Sequence, residues 1–264
     1  LETSVECLAL APGHSTLAIS CGGDIKLWNV STGRLIKDIT SDQEDYDYDD
    51  IITLHWSGCG QLLFFVTESS DLRCWHRDKG MLRYNKYVGD GCDEIQMAAF
   101  GQLRRHEMRL AACYLNSPHV SVWQLKTAGR FTLREKNIEP AKGDVMSLAF
   151  SRDGAILATG CGAWDAMEQK STVTVQPWSF HQLRYERTLR GRSGSGYALA
   201  VAFSPASHVI AAIGDNGECF VWNWQNGQCL KTFHAHTMTD SRLWSAKTWN
   251  SLGALGSGPV AAFL

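Results

Sequence analysis

No stretch of the chain approaches the roughly eighteen uninterrupted apolar residues of a spanning helix, so none is expected. Positive charge is not in excess either. Lys and Arg number 25 against 27 Asp and Glu, and the formal net charge of −2 leaves no global basic field to hold nucleic acid or an anionic membrane. None of the nine cysteines (7, 21, 59, 74, 92, 113, 161, 219 and 229) stands in a C-x-x-C pair, which weighs against zinc. Their odd count and scatter point to reduced thiols in a cytoplasmic or nuclear compartment, buried as small hydrophobes. The sequence also lacks a G-x-S-x-G elbow, an H-E-x-x-H pair and any cysteine with an activating motif. No catalytic residue, cofactor or metal is therefore expected. His234 and His236 can share a strand face but have no third ligand. The chain starts at Leu1 without a secretion signal and reads as a piece of a longer polypeptide. Asn29-Val30-Ser31 matches a glycosylation sequon, a triplet common by chance, and nothing else suggests secretion.

Apolar residues make up 44% of the chain and charged residues 20%, a balance that favours a packed domain over a disordered one. Its organisation is repetitive. Asp24-Ile25-Lys26-Leu27-Trp28 follows a short turn and ends an alternating run on tryptophan. The pattern returns at Asp71–Trp75, His119–Trp123 and Glu218–Trp222, with a worn copy at Thr172–Trp178. Trp28, Trp75, Trp123, Trp178 and Trp222 are spaced by 47, 48, 55 and 44 residues. The upstream halves repeat as well: Leu148-Ala149-Phe150-Ser151 matches Val201-Ala202-Phe203-Ser204-Pro205, and looser copies precede the other tryptophans. Each is followed by a turn and an apolar run. A fixed period of about 40–45 residues marks propeller blades of four strands.

On these residues the chain resembles the WD-repeat β-propeller family over roughly residues 4 to 235. The resemblance implies an all-β fold of four-stranded antiparallel blades, about five visible with a partial sixth, forming part of a larger ring. Blades are expected over 4–40, 51–88, 94–138, 142–190 and 197–233, with an irregular or partial end at 234–264. Asn29, His76, Gln124, Ser179 and Asn223 stand where the family has an aspartate, and its glycine-histidine pair is not clearly present, so the repeats are degenerate. In that worn style the chain is similar to the repeat regions of fungal signalling NTPases of the NACHT type. An open first blade exposes strand edges and an apolar face, and the isolated piece is expected to aggregate.

Residues 41–50 hold six acidic side chains and no basic one. In the blade order they join an outer strand to the next inner strand, on the face that family members most often use for binding. Asp45, Tyr46, Asp47, Tyr48, Asp49 and Asp50 are thus candidate partner-binding residues, with the tyrosines as anchors and the carboxylates steering a basic peptide segment. A solvated loop is the plainer alternative. The spacing of Asp45, Asp47 and Asp49 fits the start of a calcium loop, but Trp56 stands where its final glutamate is required. Residues 162–170 read as an inserted loop carrying two further candidates, Trp164 and Met167. Arg104-Arg105-His106 lies in a long connection between the first and second strands of the third blade as a small basic knot. At Gln176-Pro177-Trp178 the missing donor of proline predicts a bulge or the end of pairing. Arg242 onward begins a sixth inner strand, while Ser251–Leu264 lacks the strands to complete a blade. The function implied is a non-enzymatic interaction scaffold, with a substrate adaptor of a ubiquitin-ligase or chromatin complex as the alternative and a propeller hydrolase as the alternative of another class. The partners expected are other proteins, without direct nucleic acid or membrane contact.

Overall fold

The computed structural model describes residues 5–39, 49–88, 94–104, 106–114, 117, 119–126, 132–140, 144–165, 170–179, 184–185, 187–204, 206, 208–234, 241–244 and 251–256. Among them all regular structure is β-strand. Four strands make the first sheet: β1 (Cys7–Leu10), β2 (Thr16–Cys21), β3 (Asp24–Asn29) and β4 (Leu35–Asp38). They pair antiparallel in chain order, and the pattern repeats. The second sheet holds β5 (Ile51–Trp56), β6 (Leu62–Thr67), β7 (Asp71–His76) and β8 (Gly80–Tyr87). The third holds β9 (Ile95–Arg104), β10 (Glu107–Tyr114), β11 (Val120–Lys126) and β12 (Thr132–Ile138). The fourth has β13 (Val145–Phe150), β14 (Ile156–Asp165) and β15 (Lys170–Ser179), with an outer strand broken into β16 (Arg184–Tyr185) and β17 (Leu189–Arg190). The fifth has β18 (Ala198–Phe203), β19 (Val209–Gly214), β20 (Glu218–Asn223) and β21 (Gln228–His234). A two-stranded pair follows, β22 (Ser241–Trp244) and β23 (Ser251–Gly256). This is the all-β, four-stranded blade architecture expected from the repeats. The chain divides into two compact units, residues 1–115 with 124–134 and residues 116–123 with 135–264.

In the first unit, alternation decides which face each side chain takes. Ile25 and Leu27 of β3 are buried, while Lys26 and Trp28 between them are only half-buried. The buried set joins Ala18, Leu54, Trp56, Leu63, Phe65 and Trp75 in one core between the first and second sheets. Trp56 Nε1 donates to Ala9 O at 3.1 Å, and its ring meets Trp75 edge-on at 6.3 Å between centroids. Arg77 lies over the Trp56 ring at 5.5 Å. Every residue of β6 is buried, because both faces of the second sheet are covered. On its far face Phe64 approaches Phe100 of β9, and His55 of β5 stacks on the same ring at 5.4 Å and 14°. By contrast the other face of the first sheet is open: Leu8 is 61% and Leu10 45% exposed, beside half-buried Leu17, Ile19 and Trp28.

In the second unit, Ala158, Val173 and Val175 of the fourth sheet pack against Ile210, Ala212, Phe220 and Trp222 of the fifth. The sheets come close at Gly160, where an added Cβ would lie 2.2 Å from Ser147 Oγ and 3.0 Å from Ala198 Cβ. Trp178 Nε1 donates to Thr159 Oγ1 at 3.2 Å inside this sheet. The corresponding position in the second sheet is Phe65, two residues beyond the partner of Trp75, and there Trp75 Nε1 is buried without an acceptor. Thr159→Val keeps the shape and removes the acceptor. It is expected to cost about 1–3 kcal/mol, the penalty of an orphaned buried donor, measured by urea unfolding.

Several expectations are corrected. Residues 162–170 do not form a plain loop: β14 and β15 stay paired through Ala163↔Thr172, Trp164↔Ser171 and Asp165↔Lys170, since the β-branched run of β15 continues the ladder outward. The extra residues of the third repeat likewise lengthen a hairpin rather than a loop, with Glu107 paired to Arg104. At Pro177 the ladder to β14 runs on without a register shift, Ala158 facing Pro177. A proline fits there only in a non-hydrogen-bonded pair, so its missing donor faces the outer side. On that side the edge strand breaks, β16 pairing Trp178 and Ser179 and β17 pairing Thr174 and Val175. Ser251–Gly256 forms β23 and pairs with β22, two strands rather than the four of a blade. Nor are the thiols uniformly buried: Cys7, Cys21 and Cys59 are half-buried and Cys229 is exposed.

Candidate functional site

The end of the acidic stretch enters β5, and there the Asp49 carboxylate is held in place. Asp49 accepts from Ser69 N with both oxygens at 3.1 Å and from the Ser69 hydroxyl. Glu68 N donates to Asp50 O at 2.9 Å. The turn that receives them, between β6 and β7, is tight: Ser70 sits at φ 67 and its N donates to Thr67 O. Asp50 also reaches the β2–β3 turn, where its Oδ1 lies 3.4 Å from the Cβ position of Gly22. One residue before β1 stands Glu6, and one residue before β9 stands Glu94. Glu6, Asp49, Asp50 and Glu94, from the first three sheets, all act electrostatically on Glu68. The Glu68 carboxyl is pushed above its ordinary value, first by burial and then by Asp50, Asp49, Glu94 and Glu6 in turn.

Beneath these groups is a cleft of about 210 Å³ lined by Glu6, Cys7, Asp50, Ile51, Ile52 and Glu68. The Cys7 thiol donates to Ile52 O at 2.8 Å and Ile51 O at 3.3 Å, fixing the wall between the first and second sheets. Burial raises the Cys7 thiol above its usual value, more than the Ser20 contact lowers it. It is therefore a structural thiol rather than a nucleophile. The chemistry offered is a ring of anionic oxygens over a short apolar floor, suited to a cation with an aliphatic stem.

Asp50 lines the cleft and Asp49 is held by Ser69, whereas Asp45, Tyr46, Asp47, Tyr48 and Met167 lie outside the described residues. Trp164 stands on β14 opposite Ser171, and its side chain lies outside them as well. The glycine-flanked residues 89–93, Arg105 and His236 are outside too, while His234 is exposed at the end of β21. The repeat tryptophans at 75, 123, 178 and 222 are buried and Trp28 is half-buried. Among the described residues no group of three or more His, Cys, Asp or Glu can hold a metal ion, and no helix is long and apolar enough to cross a membrane. Glu6, Glu68 and Glu94 escaped the sequence reading, although a signal was there. Glu6, Asp50, Glu94 and Asp144 each stand one residue before an inner strand, at intervals of 44, 44 and 50.

Residues 134–167 match the family model described as WD domain, G-beta repeat. Over 262 residues the chain is 24% identical to cell division cycle 20.5, cofactor of APC complex, of Arabidopsis thaliana, covering 92% of this chain and 51% of that protein. Over 111 residues it is 31% identical to apoptotic protease-activating factor 1 of Homo sapiens, covering 42% of this chain and 8% of that protein. The chain thus spans about half the length of the first of these curated relatives and a small part of the second. A chain in a crystal structure of the mitotic checkpoint complex superposes with a TM-score of 0.65 at 18% identity, over 91% of this chain and 67% of that one, a likeness of fold.

Proposed function

We propose that this chain, a member of the WD-repeat β-propeller family, is a non-enzymatic scaffold that captures a basic segment of another protein at the acidic cleft of its first unit. The observation that carries the reading is that Glu6, Asp50 and Glu68 line one cleft, with Asp49 and Glu94 also close enough to raise the Glu68 carboxyl. Like charges held together repel. The main-chain and hydroxyl donors of Ser69 hold Asp49 within the group. A lysine or arginine entering the cleft relieves the repulsion, lays its methylenes along Ile51 and Ile52, and gains steering from the surrounding field. Tyr46 and Tyr48, four and two residues before Asp50, supply the aromatic anchors such a segment needs.

A fluorescent lysine- and arginine-rich peptide tests the reading. Binding is expected to weaken steeply with salt and to fall more than about tenfold in Asp50→Lys/Glu68→Lys, since each reversal replaces attraction by repulsion. Tyr46→Ala with Tyr48→Ala is expected to cost more than about 1 kcal/mol. Affinity is also expected to fall on acidification, with Glu68 taking up its proton at a higher pH than an ordinary glutamate. Binding that ignores both charge reversal and salt removes the cleft from the account. A second reading, a substrate adaptor, draws on the plant relative's description as a cofactor of the APC complex. It requires that the captured protein be passed on to a second partner, and a ternary pull-down separates it from simple capture.

A further inference from the structure

Outside the acidic cleft, the loop joining β17 to β18 reads Gly191-Arg192-Ser193-Gly194-Ser195-Gly196-Tyr197. Its local structure is a four-residue turn: Ser195 N donates to Arg192 O at 3.0 Å, and Gly194, at φ 79, takes the left-handed position that the third residue of a type II turn requires. Ser193 is thereby placed at the second position, the outer corner, and Arg192, Ser193 and Gly194 are all exposed. The two serines differ in exposure. Ser195 is fully buried and its Oγ accepts from Val173 N at 3.0 Å. The next residue, Gly196, donates to Ser171 O. The loop is thus pinned at one end and presents a serine at its apex.

Arg190, exposed at the end of β17, lies three residues before Ser193, and Arg192 lies one before. Arg192 has a task in the fold: its Nη2 pairs with Oε1 of Glu218, a carboxylate only 4% exposed, whose Oε2 accepts from Asn216 Nδ2 at 3.1 Å. An exposed guanidinium thus neutralises a buried anion of β20, and a buried charge that loses its partner is costly.

We propose that Ser193 is a phosphorylation site for an arginine-directed serine/threonine kinase, and that the phosphate unlatches Arg192 from Glu218. Such kinases select by charge pattern, reading guanidinium groups just before the acceptor. In the reaction Ser193 Oγ attacks the γ-phosphorus of ATP, the bond to the β,γ-bridging oxygen breaks, ADP leaves, and the hydroxyl proton passes to the kinase's base. The product carries close to two negative charges and three acceptor oxygens beside Arg192, which competes with Glu218 for the same guanidinium. The loop's charge changes sign while Glu218 is left buried and under-paired.

The test is incubation of the chain with ATP and the catalytic subunit of an arginine-directed kinase, read by peptide mass spectrometry. Phosphate is expected on Ser193 and not on buried Ser195. The transfer rate is expected to drop about tenfold in Arg190→Ala, a substitution at an exposed strand end that leaves the fold intact, as one charge contact of that order is lost. In the phosphorylated chain, amide exchange over 191–197 and 216–218 is expected to quicken and Tm to fall by a few degrees, and Arg192→Gln should reproduce both changes without phosphate. Absence of phosphate on Ser193, or a rate indifferent to Arg190, overturns the site. A phosphorylated chain with unchanged exchange over 216–218 overturns the unlatching.

Discussion

Trp75→Ala is expected to destabilise the chain by about 3–5 kcal/mol, whereas Trp28→Ala, the same position one repeat earlier, is expected to cost only about 1–2 kcal/mol. The two tryptophans close equivalent third strands, each with its side chain on the face turned toward the preceding sheet. For Trp75 that face is occupied: Leu27, Ile25 and Ala18 of the first sheet close over it, Trp56 stands against its edge, and it is 2% exposed. Its removal leaves a cavity walled by two sheets that cannot easily collapse. Trp28 shares a face with Leu8, Leu10, Leu17 and Ile19, where leucines are roughly half exposed, so truncation there removes contact area without opening a void. Urea unfolding of the two variants measures the contrast directly. Equal losses would mean that the open face of the first sheet is covered in solution.

The second large effect concerns acid. His55 stacks on Phe100 between β5 and β9, and its Nε2 is shut off from solvent with no hydrogen-bond partner. Burial alone lowers the imidazole from 6.5 to about 4. The sign follows from comparing the two states. Between pH 6.5 and about 4 the unfolded chain binds a proton at this position and the folded chain does not. Stability is therefore fully present above pH 6.5 and is lost as pH falls through that window, by about 3 kcal/mol from this group at one pKa unit per 1.36 kcal/mol. His55→Phe retains an aromatic stack on Phe100 and removes the titration. Denaturant unfolding at pH 7.5 and 4.5 should show a smaller acid loss in the variant than in the parent chain. Identical pH dependence would mean that the ring nitrogen finds a partner or water in solution.

Much of the fold was legible because the repeats advertise it. Alternation placed Ile25 and Leu27 on one face of β3 and Lys26 and Trp28 on the other, and the tryptophan period located five sheets. The lengthened hairpins were missed because their added residues pair across the two strands, without a register shift in β14–β15 and with one between Glu107 and Met108 in β9–β10. Polar residues such as Gln102 and Thr172 extend a ladder as readily as they form a loop. The broken outer strand was half-read: Pro177 announced a missing donor, but only the pairing shows which neighbour has to do without it. The stretch matched by the family model includes Thr159, whose hydroxyl still holds the repeat tryptophan Trp178 where Phe65 leaves Trp75 unheld. Of the candidate site, Asp49 and Asp50 were visible as part of a charge run. Glu6, Glu68 and Glu94 lie far apart in the sequence, and only the fold brings their charges together around Glu68.

The buried thiols carry a chemical consequence. Cys74, Cys113 and Cys219 sit in strand interiors where burial pushes each up to about 12. At neutral pH the reactive thiolate form is then present at roughly one part in a hundred thousand, against a few per cent for an ordinary cysteine. Peroxide and alkylating reagents act on thiolates, so the folded state itself serves these three as an antioxidant shelter. Exposed Cys229, on β21, has no such protection. A maleimide dye therefore finds a ready handle at Cys229, and slow labelling of the other three becomes a clock that counts each opening of the sheets.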